Sequence, residues 1–319
     1  MALNADKPGR WKADIARSVD YYNDWFMRCA PETYRATRVQ ATHEVEAALQ
    51  RTGSLAHLTA DLLCESPAVL PMLRMMTAPP LARDRLIGLA KVPPNLVRSM
   101  ELRQRLPPGM SEDEVRQGLR QVCQLILRLA DSDIFPWLQS GGTPSNREVS
   151  RASSIVADRH CGATADPIIR NAQEQRQLAV IKAWLEAKGY AVTEPGHRKF
   201  GELQAGEFAF RLNVPVRTGA GSRHVNVPVD VAIMPRRAKK GAMPILVEAK
   251  SAGDFTNTNK RRKEEATKVA QLRATYGNRI RYVLLLCGYF NSGYLGYEAA
   301  EGIDWVWEHR IDELGKLGL

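Results

Sequence analysis

The residues best suited to chemistry lie in Pro244-Ile-Leu-Val-Glu-Ala-Lys250. The run is apolar enough to be a strand, and side chains in a strand alternate between faces. Ile245, Val247 and Ala249 then share one face, and Leu246, Glu248 and Lys250 the other. A carboxylate and an ammonium stand side by side at the end of an apolar strand, where an isolated charge is costly. The preceding run, Val225-Asn-Val-Pro-Val-Asp-Val-Ala-Ile233, predicts a second strand. Its valines at 225, 227, 229 and 231 point one way with Ile233. Asp230 points the other way from mid-strand, a disfavoured place for Asp. If the two strands pair, Asp230 and Glu248 can face one another. Two converging carboxylates suit a divalent cation, since Mg²⁺ typically takes one or two protein carboxylates plus water and phosphate. Lys250 would then orient or polarise an attacking water, or stabilise charge developing on phosphorus. The competing interpretation of the trio is a structural salt-bridge cluster.

A third element is the helix that opens at Asp166-Pro-Ile-Ile-Arg170 and runs through Leu185. Leu178, Ile181 and Leu185 lie on one face, and four residues before Leu178 comes Glu174. A glutamate on an apolar stripe needs a cationic partner. A metal beneath the helix would satisfy it, and so would an ordinary i,i+4 pair with Arg170.

Pro228-Val-Asp230, then 17 intervening residues, then Glu248-Ala-Lys250 resembles the PD-(D/E)xK nuclease motif. The upstream helix glutamate is similar to that superfamily's pattern, and the proline before the aspartate is displaced by one residue. The resemblance implies an α/β core, a mixed β-sheet flanked by helices, and Mg²⁺-dependent hydrolysis of DNA phosphodiesters. It makes Asp230 and Glu248 the metal ligands, Lys250 the catalytic lysine and Glu174 the accessory acid. The segment Leu73-Arg-Met-Met-Thr-Ala-Pro-Pro-Leu-Ala-Arg-Asp-Arg85 further resembles type II restriction endonucleases of the XamI kind. That implies cleavage of both strands of double-stranded DNA at a short specific sequence, a homodimer matched to a palindromic site, and a protecting methyltransferase in the host. A structure-specific or repair nuclease with the same core, and a non-catalytic DNA-binding protein, are the alternatives.

The charge distribution bears on the same question. The 319 residues carry a net charge of +10, from 45 Lys/Arg against 35 Asp/Glu. Residues 196–263 alone hold 14 Lys/Arg and 5 Asp/Glu, so 14 − 5 = +9 of that excess surrounds the proposed site. Phosphate contacts dominate nucleic-acid affinity, so clustering of this kind points to DNA. Lys260 and Arg261 open a helix just after the Glu248 strand and are the first candidates for backbone contacts. Arg211, Arg217 and Arg223 flank the turn at 218–222, which is either a groove-entering hairpin or an exposed loop. Arg83 and Arg85 are further candidates, or else a solvated helix start.

The elements around these residues divide the chain. Residues 12 to about 139 read as short helices cut by prolines, and Ser111 followed by Glu112 and Glu114 reads as a helix start. This predicts an all-helical domain over 1–140, serving DNA recognition or dimerisation, a turn-rich linker at 141–165, and a nuclease domain over 166–319. Within the last, strand 244–250, helix 259–276 and strand 280–287 form a βαβ unit with parallel strands. No run of 18 apolar residues is present, so no spanning helix is expected. Five scattered cysteines and an N-terminus without an apolar core fit a cytoplasmic protein with reduced thiols, not membrane-bound.

Overall fold

A computed structural model describes residues 2–193, 199–217, 224–256 and 258–319, without the side chains of 224 and 258–262. The chain divides into two compact units, one of Ala30–Ile168 and one of Met1–Cys29 with Ile169–Leu319.

The first unit is helical. It holds part of α1 (Pro8–Arg51), then α2 (Ala60–Glu65), α3 (Leu70–Met75), α4 (Arg83–Ala90), α5 (Pro94–Arg103), α6 (Glu112–Leu129), α7 (Trp137–Ser140) and the start of α8 (Asn146–Ala187). α6 shows why. Ser111 accepts from the Glu114 N–H at 3.3 Å while Glu114 accepts from the Ser111 N–H at 2.9 Å, a reciprocal cap. Its Val115, Leu119, Val122 and Ile126 then form one buried stripe against Leu63, Leu86 and Leu96. The only extended pairing among its described residues is an isolated bridge between Thr77 and Ala130.

The segment expected to be a linker, 141–165, is largely helix, because α8 starts at Asn146 and runs unbroken to Ala187. Its polar composition marks a solvated helix: Ser145 and Glu148 cap it at 2.8 Å. The first residues of the chain also belong with the sheet rather than with the helical unit.

The second unit is built on a six-stranded mixed sheet in sequence order. It comprises β1 (Ala191–Val192), β2 (Glu207–Arg217), β3 (His224–Ile233), β4 (Ile245–Ala252), β5 (Arg281–Gly288) and β6 (Asp304–Trp307). β2, β3 and β4 run antiparallel as a meander, whereas β4, β5 and β6 are parallel. The β4–β5 crossover is α9 (Thr258–Tyr276), and α10 (Ser292–Ala300) joins β5 to β6. Helices cover both faces. Leu178, Ile181 and Leu185 of α8 pack on Val231, Ile233, Ile245, Val247 and Leu285. Val269 and Leu272 of α9 pack on the opposite face with Leu246, Leu284, Leu286, Trp305 and Trp307. Trp305 and Trp307 are wholly buried, as core residues.

One strand departs from simple alternation. Val231 and Ile233 lie on the α8 face, but Val227 and Val229 lie on the α9 face, so the five apolar positions of β3 do not share a side. β2 inverts at the same level, with Phe208 and Phe210 on the α8 face and Leu212, Val214 and Val216 on the other. The inversion falls on Arg211, whose backbone is left-handed (φ 51°). The register that pairs Phe210 with Val231 and Leu212 with Val229 sets Arg211 opposite Asp230. Left-handed backbone is unusual for a side chain other than Gly or Asn and concentrates at functional sites.

Candidate active site

β3 and β4 bring the two carboxylates together as expected. Pairing of Ile233 with Ile245, Ala232 with Leu246 and Val231 with Val247 sets Asp230 opposite Glu248 at the next step. Asp230 is fastened there, its Oδ2 accepting from the Ala249 N–H at 2.8 Å. Glu248 is 5% exposed. Its Oε1 accepts from Lys268 Nζ at 2.7 Å and from Lys250 Nζ at 3.1 Å. Lys250 Nζ also lies 2.8 Å from Oε1 of Glu265, and the hydroxyl of Tyr282 donates to the other oxygen of Glu265.

The electrostatics follow from this crowding. Burial, and then the nearby Glu248 charge, push the Asp230 carboxyl up to about 6, against the pull of the Ala249 N–H, Lys250 and Lys268. For Lys250, burial alone would favour the neutral amine, but Glu248 and Glu265 outweigh it and raise its pKa. Lys250 is therefore an ammonium throughout the working pH range. Asp230, Glu248 and Glu265 against Lys250 and Lys268 leave the ionised cluster at 2 − 3 = −1.

The ion pairs of a structural cluster are thus present, but they do not close. Among the described residues, Oε2 of Glu248 is buried without a hydrogen-bond partner, whereas buried polar atoms are ordinarily satisfied. An unpaired carboxylate oxygen beside a second carboxylate, in a cluster with net negative charge, fits a hard divalent cation. Among the described residues no three His, Cys, Asp or Glu side chains gather to hold a metal.

Glu174 does not join this cluster. It is 44% exposed and pairs with Arg211 Nη2 at 2.9 Å, not with a residue of its own helix. α8 packs on the sheet face opposite the one that carries Glu248, Lys250 and α9. Its fully buried line runs through Gln177, Ile181 and Leu185, so Glu174 sits at the stripe's margin. Gln177 takes the inward place, its Nε2 reaching the Lys250 carbonyl at 3.4 Å and the Leu285 carbonyl at 3.5 Å.

Glu265, Lys268 and Tyr282 escaped the sequence reading. A signal for Glu265 exists: it stands four residues before Val269 and seven before Leu272, the buried positions of α9. That is the spacing that singled out Glu174, and on α9 it marks a residue only 1% exposed.

The proposed DNA contacts scatter. Arg217 ends β2 exposed, its N–H donating to Thr275 Oγ1 at 2.9 Å. Arg223 and the side chains of Lys260 and Arg261 lie outside the described residues. Arg83 and Arg85 open α4 in the helical unit. Arg83 stands 3.5 Å from Glu101, a carboxylate that Arg74 also holds, and Arg85 is exposed.

Comparison with known proteins decides the family. The model of the XamI restriction endonuclease family matches residues 53–307. The chain belongs to the XamI restriction endonuclease family. It is 51% identical, over 99% of both chains, to the type II restriction enzyme SalI of Streptomyces albus G. No solved structure matches the chain. As a XamI-family member it is a site-specific endonuclease, a hydrolase whose substrate is DNA. The matched stretch takes in Asp230, Glu248, Lys250, Glu265 and Lys268. Among the described residues no helix is long and apolar enough to cross a membrane, and the five cysteines form no disulfide.

Proposed function

We propose that the chain cuts both strands of a short specific DNA sequence with Mg²⁺, using Asp230, Glu248 and Lys250. The observation that carries this is the buried, unpartnered Oε2 of Glu248 beside Asp230 on the paired strand. These two carboxylates would hold the cation. When bound, it supplies charge for the developing phosphorane and a more acidic water. Asp230 is aimed by the Ala249 N–H. Lys250, held as an ammonium by Glu248 and Glu265, donates hydrogen bonds to the attacking water or a phosphoryl oxygen and does not accept the proton. Glu265 fixes its position. Glu174 acts at one remove, by holding Arg211 across from Asp230.

Lys260, Arg261, Arg217 and Arg223, with Arg83 and Arg85, remain the proposed DNA contacts, supported by the +9 balance of residues 196–263. A homodimer acting on a palindromic site and a cognate methyltransferase complete the assignment. Incubation of the purified chain with unmethylated phage DNA tests it. Discrete fragments in Mg²⁺ and none in EDTA are expected. A smear, or cutting only at branches or ends, would count against specific-site cleavage.

A further inference from the structure

Two ammonium groups share Oε1 of Glu248, and among the described residues only Lys250 has another anionic partner. Lys250 is also held by Glu265, whose other oxygen is bonded to Tyr282. Lys268, on the third turn of α9, has Glu248 as its ion-pair partner among the described residues, at 2.7 Å. Its side chain is 18% exposed. It also lines a groove of about 430 Å³ between β3 and α9, with Asn226, Pro228, Lys263, Glu264 and Thr267. One end of this lysine's reach is therefore the proposed metal-binding carboxylate, and the other is a polar groove open to solvent.

An ammonium on Oε1 of a carboxylate whose Oε2 is to receive a divalent cation opposes that cation by like-charge repulsion at close range. The groove gives the displaced ammonium a place beside Lys263, where a phosphate would satisfy both. We propose that Lys268 stands in for the divalent cation on Glu248 and is displaced into the β3–α9 groove when the cation binds, there to meet a DNA phosphate. This rests on Asp230 and Glu248 being the cation's ligands. It makes Lys268 a positioning residue that couples the two halves of substrate binding. Lys268 keeps the Glu248 carboxylate paired until the cation arrives, and cation binding frees a phosphate contact.

The test is calorimetric titration of the full chain with Ca²⁺ in the absence of DNA. Lys268→Met is expected to bind Ca²⁺ about 5- to 10-fold more tightly than the wild type, as removal of a competing ion pair of this class predicts. Lys268→Arg, which keeps the charge, is expected to show no tightening. Unchanged or weaker binding by Lys268→Met overturns the proposal, because a lysine that merely supports the site would give that result. Should the Met variant fail to fold, reductive methylation of the wild type, read by mass spectrometry, decides. Lys268 should become more reactive with Ca²⁺ and protected again on adding duplex DNA, with Lys250 unchanged throughout. Reactivity of Lys268 that stays level or falls with Ca²⁺ overturns it. If the wild type binds Ca²⁺ no better than Glu248→Ala, the ligand assignment itself falls and the proposal with it.

Discussion

Replacing Asp230 by Asn removes a buried negative charge and leaves an oxygen for the Ala249 N–H. The folded carboxyl titrates at about 6 against an ordinary value of 3.8, so the native state holds its proton more tightly than the unfolded state does. Between those values the native chain binds the extra proton, and stability falls as pH rises through the window. The full penalty is present above pH 6 and absent below about 4. A shift of about 2 units corresponds to about 3 kcal/mol at 1.36 kcal/mol per unit. This is an upper figure, because Glu248 shares the repulsion. Asp230→Asn is therefore expected to be more stable than the wild type by about 1–3 kcal/mol at pH 8 in EDTA, with the gain gone at pH 4. Urea unfolding at pH 8, 6 and 4, compared at equal slope, measures this. The same variant should lose cleavage by about 10³-fold or more, since a cation ligand is gone. A variant no more stable at pH 8, or one whose gain does not decline with pH, would refute the burial of Asp230 against Glu248.

Three further outcomes follow from the same geometry. Cleavage should fall as pH drops below about 6, where Asp230 takes up its proton, and the midpoint should move lower as Mg²⁺ is raised, because cation and proton compete for one carboxylate. Lys250→Met should abolish cleavage while duplex binding in Ca²⁺, read by gel shift, stays within a few-fold of wild type. Glu308→Ala should destabilise the sheet unit by about 3–5 kcal/mol in chemical denaturation, the usual cost of stranding one partner of a buried pair. Arg176 Nη2 donates to Glu308 Oε2 at 2.9 Å, and Nη1 lies 2.6 Å from Oε1.

Much of the sheet was legible because its strands are short apolar runs bounded by turns. β4, α9 and β5 could be ordered, and their parallel pairing foreseen, from connection length alone. The Asp230–Glu248 meeting was legible for the same reason, as a consequence of period-two alternation on antiparallel neighbours. Legibility ended where one residue overrode a periodic rule. Alternation along β3 fails at Asp230 because the left-handed Arg211 across from it inverts both strands, and no pattern in Val225–Ile233 signals a conformation set on another strand. Glu174 was misplaced because the face of α8 was drawn from Leu178, at the stripe's edge, rather than from Ile181. Helix 146–165 was hidden by polar residues that suit a solvated helix as well as a loop. Glu265 and Lys268 were masked by the charged run Lys260–Lys263, which draws the eye to phosphate contacts and away from the inward face of the same helix.

The first residues of the chain add a final consequence. The N–H groups of Leu3, Asn4 and Ala5 all donate to the carboxylate of Asp304, and Asn4 Nδ2 donates to the Trp305 carbonyl and to Glu313, each at 2.9 Å. These partners lie about 300 positions apart in sequence. On the ribosome residues 3–5 emerge well before β6, the strand that receives them. The helical unit, Ala30–Ile168, is translated as one contiguous stretch and can fold in the meantime. The sheet unit, which joins Met1–Cys29 to Ile169–Leu319, must wait for β6. A nascent or truncated chain thus lacks an assembled cutting site, a useful delay in an enzyme that is hazardous to the genome encoding it. Removal of residues 1–7 should accordingly loosen β6 and the sheet as a whole.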